Sequence, residues 1–305
     1  MKLDPVSLRL FVAIMEEGTI AAAGMREHLA PAAVSKRMSE LEDALDCELF
    51  RRSNKGAEPS AAAHALLGLA RGVLNGLADI GEQMAGYSSG LRGHVRVFAN
   101  ISAITQFLPD DLRSFLDGAP LVQVHLQERI SSAIARAVTD STADIGILNA
   151  GAYGEELTTR PYREDELVLV VRRDHPLARR RKVTFREALA HEFVGAHPGS
   201  AVNNQLHKAA AEIGIPLRLR MQVSGYDAMS LMVAAGLGIG VLPRQSARLY
   251  LGSLAIRAVA LDEPWARRQL VLCVRSLEAL SPAARSLFDH LSVSTGAPAA
   301  GGRGA

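Results

Sequence analysis

The stretch HLAPAAVSKRMSELEDAL, residues 28–45, decides the fold of the N-terminal region. A proline in a helix interior removes a hydrogen-bond donor and clashes with the preceding turn, but the first helical position tolerates it, so Pro31 marks the start of a helix. Apolar residues then recur at spacings of four, three and four, which predicts one buried stripe on an α-helix. That stripe consists of Val34, Met38, Leu41 and Leu45.

Two shorter helices are predicted before this one. The first ends near Gly18, and Thr19 is the expected N-cap of the second. Three short helices with tight connections, of which the last two follow each other closely, fit a helix-turn-helix. The next segment, CELFRRSNKGAEPS at residues 47–60, has a polar turn between two short extended pieces, which is typical of a wing-like hairpin.

A long helix with an apolar seam is predicted from Ser60 to about Met84. With no obvious neighbour left in the N-terminal region to bury that seam, a partner chain is the expected cover. The alternative is that the seam packs on the chain's own wing or on the domain that follows. The seam residues are Leu66, Leu69, Val73, Leu77, Ile80 and Met84.

Strands and helices alternate after a glycine- and serine-rich linker at residues 86–93. The order βαβαβ predicts a mostly parallel sheet, and a second set of strands and helices follows it. The strand QLVLCV and a helix at residues 281–291 are expected to return to the first set. The fold class is therefore α/β overall: an α-rich N-terminal domain and a long helix, then two α/β lobes with a cleft between them.

These patterns give the expected domain boundaries. They are an N-terminal domain at 1–59, a linker helix at 60–87, a hinge at 88–93, a two-lobed domain at 94–293 and a disordered tail at 294–305. Lobe I is expected at about 94–161 and 267–293, and lobe II at about 162–266.

Composition narrows the function classes. Of 305 residues 48% are hydrophobic, which suits a globular protein. With no secretory signal pattern and no apolar run of membrane-spanning length, we expect a cytoplasmic protein. Cys47 and Cys273 lie far apart and form no metal-binding spacing. We expect no metal, no cofactor and no enzyme, since GxSxG, HExxH and convincing carboxylate pairs are missing from the sequence.

The charge distribution argues against a nucleic-acid-binding N-terminal domain. Residues 1–90 hold nine Lys/Arg and twelve Asp/Glu, a net charge of −3, and the remaining 25 basic and 20 acidic residues give +5. Phosphate neutralisation normally requires a basic domain. Position matters more than the sum, however, because the basic residues of the third helix and the wing can share one face.

The order of these elements resembles the LysR-type bacterial transcriptional regulators over nearly the whole chain. LRLFVAIMEEGTIAAA is similar to the family's opening L..FV.V.E.GS...AA, SKRMSELEDALDCELFRR to S..I..LE..LG..LF.R, and GLGIGVLP to G.GI..LP. The resemblance implies a winged helix-turn-helix, a dimerising linker helix and an effector domain of the type II periplasmic-binding-protein kind. It also implies homodimers or homotetramers on double-stranded promoter DNA, with RNA polymerase as a further candidate partner.

The resemblance assigns a DNA-binding surface to the third helix and the wing. A hydroxyl contacts a phosphate or a base, and a basic side chain holds a phosphate or pairs with guanine. The usual helix entry is close to SQPALS, whereas this chain has APAAVS, which loses two polar side chains and puts the usual contacts there in doubt. The expected DNA-binding residues are Ala32, Ser35, Lys36, Arg37, Arg52 and Lys55.

The resemblance also places a small-molecule site between the two lobes. NISAIT, at residues 100–105, opens a helix after the first strand, and HPGSAVNN opens another on the facing lobe. Backbone N–H groups at a helix start bind carboxylates and other anions, although the same residues are ordinary N-caps. The expected ligand-binding residues are Asn100, Ser102, Asn149, Gly199, Ser200 and Asp227, and an organic anion is one candidate ligand.

The sequence therefore predicts a sequence-specific transcriptional regulator controlled by a small-molecule effector. Two alternatives from other classes stay open. One is a cytoplasmic small-molecule-binding protein without a DNA role, and the other is an α/β enzyme acting in the cleft.

Overall fold

The computed structural model describes residues 3–53, 56–85, 91–154 and 157–293. Its N-terminal domain consists of α1 (Pro5–Glu17), α2 (Ile20–Arg26), α3 (Pro31–Leu45), β1 (Phe50–Ser53) and β2 (Gly56–Pro59). β1 and β2 form an antiparallel hairpin, so the expected helix-turn-helix and wing are both present. Lys55 and the tail at 294–305 lie outside the described residues, as does 86–90 of the expected linker.

The helix ends follow the sequence signals. Gly18 ends α1 with a φ of 76°, a conformation that glycine adopts without strain. Thr19 caps α2 by accepting a hydrogen bond from the N–H of Ala22 at 3.1 Å. α3 begins at its proline, and Ala30 before it makes no side-chain cap bond. Asp46 ends α3 in the left-handed region with a φ of 50°.

α4 (Ala61–Ala85) is one long helix that follows the wing. Of the predicted seam, Leu66 packs partly against the N-terminal core. The other five residues are each between 45% and 65% exposed: Leu69, Val73, Leu77, Ile80 and Met84. Among the described residues neither the wing nor the lobes cover these five, so the alternative that the seam packs within its own chain holds only for Leu66.

The prediction that no apolar stretch of the chain is long enough to span a membrane is wrong for this helix. The window Ala61–Ala78 has a mean hydropathy of 1.2, so by length and composition alone it passes as a candidate membrane span. One such helix is weak evidence. Its apolar residues form a stripe rather than a complete apolar surface, which is typical of a helix that packs against a protein.

Lobe I is built on a sheet with the expected βαβαβ order. Its elements are β3 (Arg92–Ala99), α5 (Ile101–Gln106), α6 (Leu108–Gly118), β4 (Leu121–Glu128), α7 (Ser131–Thr139) and β5 (Ile145–Asn149). β3 pairs in parallel with both β4 and β5. The sequence AITQFLPDDLRSFLDG, residues 103–118, predicts a single helix, but the structure has two helices because the backbone breaks at Phe107 before Pro109.

Lobe II follows along the chain. Its elements are β6 (Thr158–Arg172), β7 (Lys182–Val183), α8 (Phe185–Ala188), β8 (Phe193–Ala196), α9 (Ala201–Ile213), β9 (Leu219–Val223), α10 (Tyr226–Ala234), β10 (Gly240–Pro243), α11 (Arg244–Leu251) and β11 (Ile256–Leu261), with 3₁₀ turns at Pro176–Arg179 and Pro264–Ala266. The chain then returns to lobe I as β12 (Arg267–Val274) and α12 (Pro282–Val293), as expected. The sequence did not predict β7, α11 or β11.

β6 runs through both lobes. β12 pairs with its first part up to Glu166, and β10 and β11 pair with its second part from Leu167 onward. This change of partner lies beyond the expected lobe boundary at residue 161. Each lobe has its own apolar core, so β6 and the segment from β11 to β12 join two separately packed bodies. A cleft lies where they meet.

Candidate functional site

A cavity of about 340 Å³ lies between the lobes. The N-terminal turns of α5 and α7 from lobe I and of α9 and α10 from lobe II line it. The backbone N–H groups of helix starts carry partial positive charge, so four converging helix starts favour an anion. This is the cleft that the sequence analysis expects.

Four of the six expected ligand-binding residues line this cavity: Asn100, Ser102, Asn149 and Ser200. Two of them are also N-caps, since the Asn100 Oδ1 accepts from the N–H of Ala103 at 2.9 Å and the Ser200 Oγ from the N–H of Asn203 at 3.2 Å. The functional and the structural interpretation therefore apply to the same side chains. The Nδ2 of Asn100 and the Oδ1 of Asn149 are buried without a partner among the described residues.

The other two expected ligand residues lie differently. Gly199 is not part of the lining and borders it, because a Cβ at this position would lie 3.4 Å from the Cδ1 of Ile130, which does line the cavity. Asp227 is exposed and is not among the lining residues. Its neighbour Tyr226 occupies the inward position instead, because successive residues on a helix point in different directions.

The floor of the cavity carries a buried polar network that the sequence analysis missed. The hydroxyls of Ser102 and Tyr226 lie 3.1 Å apart. The Nη2 of Arg268 donates to the Ser102 Oγ at 3.2 Å and also to the Oδ2 of Asp165. Burial raises the pKa of Tyr226 to about 12, so its phenol remains a neutral hydrogen-bond group at ordinary pH.

Arg268 and Asp165 form a buried ion pair, with side-chain exposures of 10% and 0%. The pair is incompletely bonded, since the Nε and Nη1 of Arg268 and the Oδ1 of Asp165 have no partner among the described residues. Buried polar groups are usually paired, so these three atoms are exceptions among the described residues. In the sequence this arginine is one of two that precede the apolar run of β12, a pattern with no specific signal.

The mouth of the cavity is charged but balanced. Glu128 and Arg129 stand side by side at the end of β4, and both are exposed. The guanidinium of Arg129 lies 5.7 Å from the ring centroid of Phe98. Deeper in the cleft the lining cation is Arg268, which is paired with Asp165.

The expected DNA-binding residues are only partly placed by the structure. The Lys36 side chain is 79% exposed on α3 and lies 3.9 Å from Glu40. Arg37 is directed toward the start of α1, where its Nη1 lies 3.5 Å from the Oδ1 of Asp4. Ala32 is exposed and Ser35 is half-buried on the same helix. Arg52 lies in β1, and Lys55 is outside the described residues.

Two protein-family models match the chain. The model described as "Bacterial regulatory helix-turn-helix protein, lysR family" matches residues 6–64, and the "LysR substrate binding domain" matches residues 88–294. Together they cover both parts of the fold described above.

Curated relatives match over most of their length. The RuBisCO operon transcriptional regulator of Allochromatium vinosum is 24% identical over 284 residues, which cover 93% of this chain and 94% of the relative. The probable HTH-type transcriptional regulator LrrA of Synechococcus elongatus is 30% identical over 244 residues, which cover 79% of this chain and 81% of the relative.

Solved structures share the fold. A full-length OxyR variant from Pseudomonas aeruginosa superposes with a TM-score of 0.72 at 19% identity and covers 95% of both chains. Full-length CbnR complexed with its target DNA gives a TM-score of 0.65 at 22% identity, over 96% of this chain and all of that chain. The fold and the cleft define a helix-turn-helix transcriptional regulator with an effector-binding domain. The chain belongs to the LysR family of bacterial transcriptional regulators.

Proposed function

We propose that this chain binds promoter DNA through α3 and the wing, as a homo-oligomer assembled through α4, and that a small organic anion in the interlobe cleft controls its output. Double-stranded DNA and a small-molecule effector are thus its main partners, and the protein acts in the cytoplasm. RNA polymerase is a further proposed partner at the promoter. The relatives carry regulator names, which favours this function over catalysis in the cleft.

The observation that carries the proposal is the cleft itself. Four helix starts and the incompletely bonded Arg268 converge on a cavity large enough for a small metabolite. Because Arg268 lines the cavity, an anionic group bound there would be attracted by its guanidinium charge. The hydroxyls of Ser102 and Tyr226 belong to different lobes and would contact the same ligand, so ligand binding would favour one arrangement of the lobes.

The DNA-binding half of the proposal rests on the exposed face of α3. Ser35 and Lys36 lie on that face, and Arg52 and Lys55 belong to the wing. We propose that Lys36 and the wing cations anchor phosphates, whereas Ser35 and Ala32 face the groove. Arg37 holds the start of α1 through Asp4 and has a supporting role. A dimer about α4 would present two such helices to inverted half-sites.

The experiment that tests the DNA half is a fluorescence-anisotropy titration against the DNA upstream of the protein's own gene. A shuffled sequence of the same composition is the control, and a salt series measures the number of phosphates neutralised. Specific binding that weakens steeply with salt is expected. Equal affinity for both sequences, repeated with operators selected from random DNA, would contradict sequence-specific regulation.

The effector half is tested by thermal unfolding of the purified chain with a panel of small mono- and dicarboxylates. A ligand of the folded state raises the melting temperature by mass action. We expect stabilisation by at least one carboxylate in the wild type and its loss in Arg268→Met. Stabilisation that survives in this variant would remove Arg268 from the proposed site.

A further inference from the structure

α4 has a second face that contacts its own effector domain. Gly68, Arg71, Gly72 and Asn75 recur at helical spacing on a different side of the helix from the exposed apolar stripe. They meet the turn at residues 139–142, which joins α7 to β5 in lobe I. A Cβ at Gly68 would lie 2.9 Å from the carbonyl oxygen of Thr139, so the absence of a side chain permits this close approach.

Arg71 joins three parts of the chain. Its Nη1 donates to the Oγ1 of Thr142 in lobe I at 2.8 Å, and its Nη2 donates to the Oε1 of Glu16 in α1 at 2.7 Å. The Nδ2 of Asn75 adds a bond to the carbonyl oxygen of Ser141 at 3.0 Å. The Arg71 side chain is only 17% exposed, which distinguishes it from an ordinary solvated surface cation.

Glu16 is held as a carboxylate for this contact. Its partial burial alone would raise its pKa, but hydrogen bonds from Arg71 and Arg26 outweigh burial and lower the pKa below the usual value. Arg26 donates to the other oxygen of Glu16 at 2.6 Å and does so within the DNA-binding domain. Of the two arginines, Arg71 is therefore the one that connects the DNA-binding domain to lobe I.

The turn that receives α4 is itself fixed. Ser141 adopts a φ of 53°, its Oγ accepts from the Nη1 of Arg275 at 3.2 Å, and the N–H of Thr142 donates to the carbonyl oxygen of Ala137 at 2.8 Å. α7 precedes this turn, and its first residue Ser131 lines the interlobe cavity. The contact with α4 thus lies one short helix away from the cleft.

We propose that this face of α4 is an intrachain tether that fixes the DNA-binding domain in one orientation on the effector domain, and that its release alters DNA binding. The tether goes beyond the function proposed above, and only its effect on DNA affinity rests on that function. A hydrogen-bonded contact with few apolar groups can separate and re-form, unlike a packed core, and so has the character of a switchable contact.

Disulfide trapping tests whether the tether forms in solution. A Cβ at Gly72 would lie 3.9 Å from the Oγ of Ser141, which is within reach of a disulfide. In a Cys47→Ser background, the Gly72→Cys/Ser141→Cys chain should oxidise within one chain, while each single variant should not. An absent cross-link, or one that joins two chains, would overturn the tether.

A second measurement keeps the proposal testable if the double cysteine variant misfolds. Thr142→Val and Asn75→Ala, combined, remove two of the bonds and leave Glu16 and Arg71 in place. Small-angle scattering should show a larger radius of gyration, and amide exchange at the turn should become faster. Arg26→Ala is the matched control, because it removes a cation from Glu16 without touching lobe I and should leave both readouts unchanged. Unchanged scattering and exchange in the Thr142→Val/Asn75→Ala chain would count against the tether.

The same double variant tests the consequence for DNA. We expect its affinity for the DNA upstream of its own gene to change by at least threefold. Unchanged affinity with an expanded shape would overturn the regulatory part of the tether. If no chain, wild type included, distinguishes that DNA from the shuffled control, the proposed function has failed, and the cross-link and scattering still decide whether the tether exists.

Discussion

Ser102 and Tyr226 join the two lobes directly, with their hydroxyl oxygens 3.1 Å apart on the cleft floor. Ser102 belongs to α5 of lobe I and Tyr226 to α10 of lobe II. A second pair, the Oγ1 of Thr105 and the Oγ of Ser246 at 2.8 Å, fastens the same short helix to α11. α5 therefore holds the lobes together at the place where an effector would enter.

Tyr226→Phe should destabilise the chain by about 1 kcal/mol, the usual contribution of one hydrogen bond. Urea unfolding measures this loss of stability. Tyr250→Phe is the control, because among the described residues the Tyr250 hydroxyl has no side-chain hydrogen bond that shifts its pKa. Equal effects of the two substitutions would argue against a role for the interlobe bond.

The same tyrosine predicts a pH dependence. Burial raises its pKa from 10.0 to about 12, so its contribution to stability is complete below pH 10 and is lost as the pH rises through 12. Wild type should therefore lose more unfolding free energy than Tyr226→Phe between about pH 10 and pH 12. Parallel losses in both proteins would show that another group governs alkaline unfolding.

The Asp165–Arg268 pair predicts non-additive effects. Removing one partner leaves a buried charge without compensation, which destabilises proteins by about 3–5 kcal/mol. Asp165→Asn or Arg268→Met alone should approach that loss, and the double variant should lose less than the sum. Chemical denaturation of the four proteins forms the cycle. Additive losses would mean that the two side chains do not interact in solution.

The N-terminal domain was largely predictable because its signals are local. Pro31, Gly18 and Thr19 each mark a helix end through their own backbone or cap chemistry, and the structure places the helix ends there. The break at Phe107 was not anticipated, since the apolar spacing continues through it. Asp46 ends α3 in the left-handed conformation, which also follows local chemistry because aspartate tolerates that conformation better than most residues.

The cleft was predictable only in part because it is assembled from distant segments. The helix starts at Asn100 and Ser200 carry recognisable caps, and both line the cavity. Arg268 and Asp165 become neighbours only because β12 pairs with β6, a register that no local pattern specifies. The sequence prediction named Asp227, whereas its neighbour Tyr226 lines the cavity, because the direction of a first helical turn depends on its packing.

The two cysteines are predicted to differ in reactivity. Cys273 is buried in β12, and burial raises the pKa of its thiol to about 12, whereas Cys47 lies partly exposed in the N-terminal domain. Native protein should react with a maleimide at Cys47 alone, and denatured protein at both. Mass spectrometry of labelled peptides shows which cysteine has reacted. Rapid labelling of Cys273 in native protein would contradict its burial.

Lys36→Ala should weaken DNA binding and reduce the slope of log affinity against log salt by about 1 if Lys36 neutralises one phosphate. Lys208→Ala is a matched control. Lys208 is also exposed and also lies 3.9 Å from a glutamate four residues later, Glu212, but it belongs to lobe II. Anisotropy titrations at several salt concentrations measure both. An unchanged slope in Lys36→Ala would remove this lysine from the interface.

Leu77→Glu should separate the subunits without unfolding them. Leu77 lies in the middle of the exposed stripe of α4, and the described residues leave it open, so another chain is its expected cover. Burying a leucine stabilises an interface by about 1.5–3 kcal/mol, whereas burying a charged glutamate at the same place destabilises it. In sedimentation, wild type should therefore behave as a dimer or larger assembly and Leu77→Glu as a monomer. Val293→Glu, at an exposed valine outside the stripe, controls for the added charge. If Leu77→Glu sediments like wild type, the subunits associate through a different surface, and the apolar stripe of α4 needs another cover.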